Sequence, residues 1–416
     1  MKRSTFWWLV LALLIVRVAL MALTPVFEPS EARYAAISAN MARSGDFVVP
    51  RFTHDLEYQS FDGKPPLVFQ AGGVFCRLFG ITEFSVRLFP LLSAILLLVI
   101  LHRVVRREAG DEEARLATLV AASCTAFYAA SGLAMTDMSL TCCVAGALLL
   151  YREFLARASL GVAALIAALL GAGMIVKGPV ALVMFGLPAI VDAIVNRRGR
   201  GIFNRRWLVV APIFLLVAVP WFVLVEQRNP GSVKYFFYNE NLMRFISHDY
   251  GDRYGAGREA FFGVSIVWAF VATLPWALLL PVRRIVWRRF ELLAALSIVG
   301  FWCLTSRVLI YYLFPMIPLF AVYLAHQADR ARLVRCAVPF AVLSMVVLAG
   351  TLVGGMVLSD KMRGAETPFV PIVNHYAYEF YHGRRPESEL EKYRAAREEF
   401  FRRQREAEAQ RGEAAR

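Results

Sequence analysis

Apolar residues run along this chain in blocks of about 16–25, and most charged residues fall between the blocks. Blocks of that length match the roughly 20 apolar residues needed to carry a helix across a bilayer core. The pattern predicts eleven spans: 6–24, 85–102, 116–133, 138–155, 158–175, 178–195, 207–226, 260–281, 290–305, 308–325 and 336–358. A twelfth stretch, 65–80, is shorter, interrupted by glycine and ends near Arg77. The expected fold class is an all-α polytopic membrane protein.

Charge decides what 65–80 does. Arginines collect at 103–115, 152–157, 197–206, 283–289 and 330–335. Basic connections are retained on the cytoplasmic side of a membrane. If 65–80 lies in the interface without crossing, all five clusters share the side of Lys2 and Arg3. If it crosses, all five fall outside. The first arrangement is expected. It puts 25–84, 134–137, 176–177, 227–259, 306–307 and the chain after 358 on the outer side. The first span is expected to be an uncleaved anchor, a cleaved signal peptide being the alternative.

Composition agrees and removes other classes. The chain of 416 residues is 58% hydrophobic and 19% charged, against roughly half and a quarter in soluble domains. Its net charge of +14 would suggest nucleic acid in a soluble protein; here it reads as orientation signal, and no nucleic acid partner is expected. The six cysteines lie in apolar stretches without metal-ligand spacing. The chain divides into a membrane domain, 1–358, and a charged tail, 359–416. Within the tail, 386–416 reads as a solvated helix or a disordered end.

The unusual polar residues gather on the outer side. They are Glu28, Ser30, Glu31, Arg33 and Tyr34, then Asp62 and Lys64, then Asp137, Lys177, Glu240 with Arg244, and Arg307 with Tyr311. Each also has a bland reading. Glu31 and Arg33 could be the polar face of an interfacial helix, since 31–43 has helical periodicity. Asp137 could cap the helix it begins. Lys177 could snorkel at a helix end. Glu240 and Arg244 could be a surface pair. Arg17, inside the first span, reads as structural. Their common side suggests group transfer at a membrane surface, with a carboxylate taking a proton from an acceptor and cations holding an anionic leaving group. Gly171-Ala172-Gly173 before Lys177 fits neither nucleotide-binding glycine spacing, so a lipid-linked donor is the natural choice.

Over residues 5–330 an ordered series of motifs resembles the bacterial aminoarabinose-transferase and protein-mannosyltransferase-like membrane glycosyltransferases of the GT-C class. The series is Pro29-Ser30-Glu31-Ala32-Arg33-Tyr34-Ala35, Gly45-Asp46 through Pro50-Arg51, and Phe61-Asp62-Gly63-Lys64-Pro65-Pro66-Leu67. It continues with Thr136-Asp137-Met138, Lys177-Gly178-Pro179, Asn229-Pro230-Gly231, Asn239 to Phe245, and Tyr311-Tyr312 to Pro315. The resemblance implies a GT-C bundle of about 11 transmembrane helices (10–13) with interfacial helices in the first periplasmic loop. It implies an inner-membrane enzyme that moves a sugar from polyprenyl phosphate to an envelope acceptor (lipid A, another glycan or protein) on the periplasmic face, with inversion. The alternatives are a transporter or flippase of lipid-linked sugars and a non-catalytic lipid-binding relative.

The resemblance also implies roles. Lys64 and Lys177 match lysines that hold the lipid phosphate, with Arg33 and Arg244 expected beside them. Ser30, Tyr34, Asp62, Glu240, Arg307 and Tyr311 are expected to line the substrate site. Asp137 matches a second acidic position and is expected at the catalytic centre, orienting the acceptor. Ser30 stands where relatives carry the catalytic Asp, so Glu31, or else Glu28, is expected to act as the base. Gly63 is inserted after Asp62. Asn241 stands where relatives carry a metal-binding His, and a bound metal is doubtful.

Overall fold

The computed structural model describes residues 1–27, 29–54, 57–197, 205–243, 254, 260–281, 285–305, 307–364 and 375–384, with isolated positions beyond. It is a helical membrane bundle, in keeping with the sequence reading. Helices α1 (Arg3–Leu23), α4 (Glu83–Ala109), α7 (Thr136–Arg157) and α8 (Leu160–Lys177) are long and apolar enough to cross a membrane, as are Trp207–Arg228 and Arg330–Val357. The last two contain α10 (Val210–Arg228) and begin α14 (Arg330–Gly364). Shorter apolar helices complete the bundle: α9 (Val180–Val195), α12 (Phe290–Cys303) and α13 (Met316–Gln327).

Three predicted spans are not single helices. The 116–133 stretch divides into α5 (Asp111–Ser123) and α6 (Thr125–Ala130) around the extended Cys124. There Thr125 N–H leaves the helical ladder and donates to Leu274 O at 3.0 Å. The 260–281 stretch becomes α11 (Val264–Ala272) and a short turn, Trp276–Leu279, on either side of Pro275, whose missing N–H interrupts the helix. The 308–325 stretch starts as a turn, Ile310–Leu313, before α13. The expected count of about eleven crossings therefore resolves, among the described residues, into six long helices plus shorter and broken ones.

The first outer loop is an ordered layer. Helix α2 (Ser30–Ser44) ends at Gly45, whose φ of +77° suits a left-handed C-terminal cap. The strands β1 (Arg51–His54) and β2 (Glu57–Ser60) form a hairpin pairing Arg51 with Ser60. Helix α3 (Leu67–Phe79) has 13 residues, about 20 Å at 1.5 Å per residue, too short to cross alone. It packs between α2 and α4.

Ion pairs sort the two ends of the bundle. At one end the Met1 amine and Arg330 both meet Glu112, Arg152 meets Glu108 and Glu291, and Arg107 meets Glu153. Those contacts tie together three of the five arginine-rich connections and the start of α12. The opposite end carries α2, the hairpin and every candidate site residue that is described. Helix α15 (His375–His382) docks there too. Phe380 is fully buried against α2, and Glu379 accepts from Asn40 Nδ2 at 2.6 Å and Thr53 N–H at 2.9 Å. Burial pushes the Glu379 carboxyl up from its ordinary value. Part of the tail that the sequence left without a role is thus a lid on the outer layer.

Candidate functional site

Glu31, expected to act as a base, has both carboxylate oxygens engaged. Glu31 Oε1 accepts from Arg87 Nε at 2.8 Å and from Ala134 N–H at 2.9 Å; Oε2 accepts from Arg87 Nη2 and from Phe27 N–H, both at 3.0 Å. An ionised carboxylate has about four acceptor positions, and all four are used. Arg87 donates further to Met21 O, Thr24 O and Pro25 O. Both side chains are buried. The pair fastens the end of α1, the start of α2, the turn before α7 and α4 at one point. Arg87 escaped notice in the sequence, although it is the one charged residue within 85–102, and a lone intramembrane arginine needs a partner.

The second pair joins two helix ends. Asp137 lies in the first turn of α7 and Lys177 is the last residue of α8; Lys177 Nζ donates to Asp137 Oδ1 at 2.5 Å. The helix cap is Met135, and it makes no side-chain cap bond, so capping does not explain Asp137. Snorkelling does not explain Lys177 either, because its side chain is 11% exposed and its ammonium sits 4.6 Å from the ring centre of Tyr312 and 5.5 Å from that of Tyr311. Such contacts add cation–π attraction to the ion pair. Tyr34 approaches the same group from α2, its ring tilted against those of Phe61 and Phe69. Burial pushes the Tyr34 phenol up, with the Arg33 charge opposing, so it stays a neutral hydroxyl at neutral pH. After Lys177, Gly178 has φ +85°, and a Cβ there would meet Phe236 Cζ at 2.4 Å. Only glycine lets Phe236 of the following outer segment lie against this helix end.

The third group comes from the 60–64 loop and the 229–243 segment. Asp62 Oδ1 accepts from Asn229 Nδ2 at 3.0 Å and Ser232 Oγ at 2.9 Å, and Oδ2 accepts from Ser60 Oγ at 3.3 Å. Asp62 stays half exposed. Lys64 Nζ lies 3.6 Å from Glu240 Oε2, and Tyr235 Oη donates to Glu240 Oε1 at 3.3 Å. Glu240 therefore faces Lys64 across the site. Tyr254 Oη accepts from Asp62 N–H at 3.0 Å, with its ring 4.8 Å from Phe61. A Cβ on the inserted Gly63 would meet Tyr254 Cδ2 at 2.8 Å. The insertion makes room for that ring, a fit the sequence did not show.

Arg33 lies over Tyr34, Phe61 and Tyr376 at 5.6–5.8 Å and donates from Nη1 to Tyr254 O at 3.3 Å. Ser30 opens α2, half buried, next to this layer. Arg307 sits in the loop just before Tyr311, its N–H donating to Thr305 Oγ1. Glu28 and Arg244 lie outside the described residues. Asn241 Nδ2 donates to Phe236 O at 2.8 Å, so that position acts as a donor. Among the described residues no three His, Cys, Asp or Glu side chains converge as metal ligands.

Comparison with known proteins places the chain. Residues 63–223 match the dolichyl-phosphate-mannose-protein mannosyltransferase family. The undecaprenyl phosphate-alpha-4-amino-4-deoxy-L-arabinose arabinosyl transferase of Serratia proteamaculans is 30% identical over 288 residues, covering 66% of this chain and 49% of the relative. The namesake from Sodalis glossinidius is 29% identical over 358 residues, 80% of this chain and 61% of the relative. The chain spans about half the length of the first of these and about three fifths of the second. The crystal structure of ArnT from Cupriavidus metallidurans bound to undecaprenyl phosphate shares the fold, with a TM-score of 0.70 at 24% identity over 92% of this chain and 76% of that one.

Proposed function

We propose that this chain is a membrane glycosyltransferase like the aminoarabinose transferases and protein mannosyltransferases it resembles, and that it transfers a sugar from a polyprenyl-phosphate donor to an envelope acceptor. The observation that carries this reading is the gathering of Lys177, Lys64 and Arg33 with Asp137, Asp62 and Glu240 on one end of the bundle, amid the rings of Tyr34, Tyr254 and Tyr312. A leaving phosphate needs fixed cations in a site of low dielectric, and a sugar ring packs on aromatic faces. By analogy with its relatives, the donor would be an undecaprenyl-phosphate-linked amino sugar and the acceptor lipid A, another glycan or protein.

In this mechanism the acceptor oxygen attacks the anomeric carbon opposite the phosphate. The carbon–oxygen bond to phosphate breaks, and the phosphate leaves with the electron pair onto Lys64, Lys177 and Arg33. Asp62 takes the acceptor proton, in place of Glu31, whose oxygens are already committed. Asn229 and Ser232 aim Asp62. Asp137 fixes Lys177, and Glu240 fixes Lys64. The transmembrane unit is 1–358, with α15 added as an outer strap from the tail.

Purified protein in detergent with undecaprenyl-phosphate-linked sugar and lipid A should release undecaprenyl phosphate. A flippase would move the donor between leaflets and release none. Asp62→Asn should lower turnover by about 10²–10⁴-fold with donor binding little changed, the usual worth of a general base. If Asp62→Asn keeps wild-type turnover while Glu28→Gln loses it, Glu28 is the base. If both keep it, and Glu31→Gln keeps it too, the carboxylate mechanism fails.

The site faces the periplasm in this reading, with the arginine-rich end in the cytoplasm of an inner-membrane protein. Single cysteines at positions 57 and 197, both exposed, test it in an otherwise cysteine-free chain. An impermeant thiol reagent on intact spheroplasts should label 57 and spare 197. The reverse pattern would overturn the orientation and the site with it.

A further inference from the structure

Two apolar grooves flank α4 at the basic end of the bundle, far from the proposed transfer site. One, of about 770 Å³, lies between α1, α4 and the α5–α6 pair; the other, of about 610 Å³, lies between α4, α7 and α8. They share one wall, made of Val99, Arg103 and Arg107. Phe6 and His102 stack at the basic end of the first groove, and Arg17 and Leu91 close the other end. Eleven residues separate these levels on each helix, about 16 Å at 1.5 Å per residue, close to half of a bilayer core of about 30 Å. That is the reach of one acyl chain from its own interface. Arg17 does not spoil the apolar lining, because it is 2% exposed and its Nη2 donates to Ala129 O at 2.7 Å.

The cations at the groove mouths differ in how they are engaged. Arg107 pairs with Glu153 and Arg106 with Asp111. Arg103 is exposed, and no carboxylate lies within ion-pair distance of it among the described residues. It stands one turn from both Arg106 and Arg107, whose charges are paired, so the positive charge of Arg103 is left where the two grooves meet. We propose that this place is a binding site for an anionic glycerophospholipid, its phosphate on Arg103 and its two acyl chains in the grooves on either side of α4. Basic pockets between membrane helices recognise acidic head groups through this combination of charge and apolar wall. A zwitterionic lipid would fill the same grooves but gain less from the net positive mouth. With the basic connections cytoplasmic, the lipid belongs to the inner leaflet; the test does not depend on that orientation.

The full chain is reconstituted in phosphatidylcholine vesicles with spin-labelled phosphatidylglycerol or spin-labelled phosphatidylcholine, and the motionally restricted fraction of each is measured at 0.1 M salt. Wild type should prefer phosphatidylglycerol about fivefold or more, and 1 M salt should remove most of the preference. Arg103→Gln should lower the preference about fivefold, the effect of one interfacial arginine. Val99→Trp, at a position 57% exposed on the shared wall, should reduce the restricted fraction of both lipids without unfolding the bundle. Equal restriction of the two lipids by wild type would overturn the proposal. So would an unchanged preference in Arg103→Gln, or unchanged restriction in Val99→Trp.

Discussion

Lys177→Met should lower sugar transfer by about 10²–10³-fold, the cost of removing one donor that stabilises developing negative charge in a dry site. The substitution has a second consequence that must be separated from the first. Lys177 and Asp137 are both buried and paired, and taking away one member leaves an uncompensated charge that costs about 3–5 kcal/mol. Lys177→Met alone therefore loses both activity and stability. The double variant Lys177→Met with Asp137→Asn removes the stranded charge. It should regain most of the stability, read by thermal melting in detergent, and none of the turnover. Recovery of turnover in the double variant would mean that the pair only joins α7 to α8 and that the donor phosphate is held elsewhere. Lys177→Arg keeps the charge but enlarges the head beside Tyr312, so an intermediate rate is expected.

The largest effect on stability is expected at Arg87→Met. This takes the guanidinium partner from the buried Glu31 and strips the carbonyls of Met21, Thr24 and Pro25 of their donor. Breaking a buried pair of this kind costs about 3–5 kcal/mol, a large part of a normal folding free energy. Glu31→Gln is the milder partner, since the amide keeps the shape and can still accept on one side. In the folded fraction its turnover should stay within about threefold of wild type, well short of a lost base. A stable Glu31→Gln protein with turnover reduced 10²-fold or more would return the base to Glu31 and remove it from Asp62. The two measurements, melting temperature and turnover per folded molecule, thus decide whether this carboxylate holds the outer layer or does the chemistry.

The sequence by itself determined the membrane class, because blocks of apolar residues have no other stable home and need no tertiary knowledge to be recognised. It determined that the arginine-rich connections share one end, since charge bias acts segment by segment. It also picked out most of the outer polar residues and, through the order of its motifs, the resemblance to membrane glycosyltransferases that the relatives share. What it left open were partners. Glu31 reads as a base by adjacency to Ser30, yet its neighbour in space is Arg87, 56 positions away. Asp137 reads as a second acidic site residue that could also cap its helix, yet its partner is Lys177, 40 positions away. Gly63 reads as a disruption until the ring of Tyr254 fills the space it leaves. The breaks at Cys124 and Pro275 fall inside runs whose hydropathy is continuous, because hydropathy reports the solvent of a segment and not whether its backbone ladder is unbroken. The short helix His375–His382 was hidden for the same reason: its burial depends on the distant surface of α2 that receives it. Local pattern fixes which residues must leave water; only the packed structure decides which buried charges neutralise one another, and that choice separates a scaffold carboxylate from one available for catalysis.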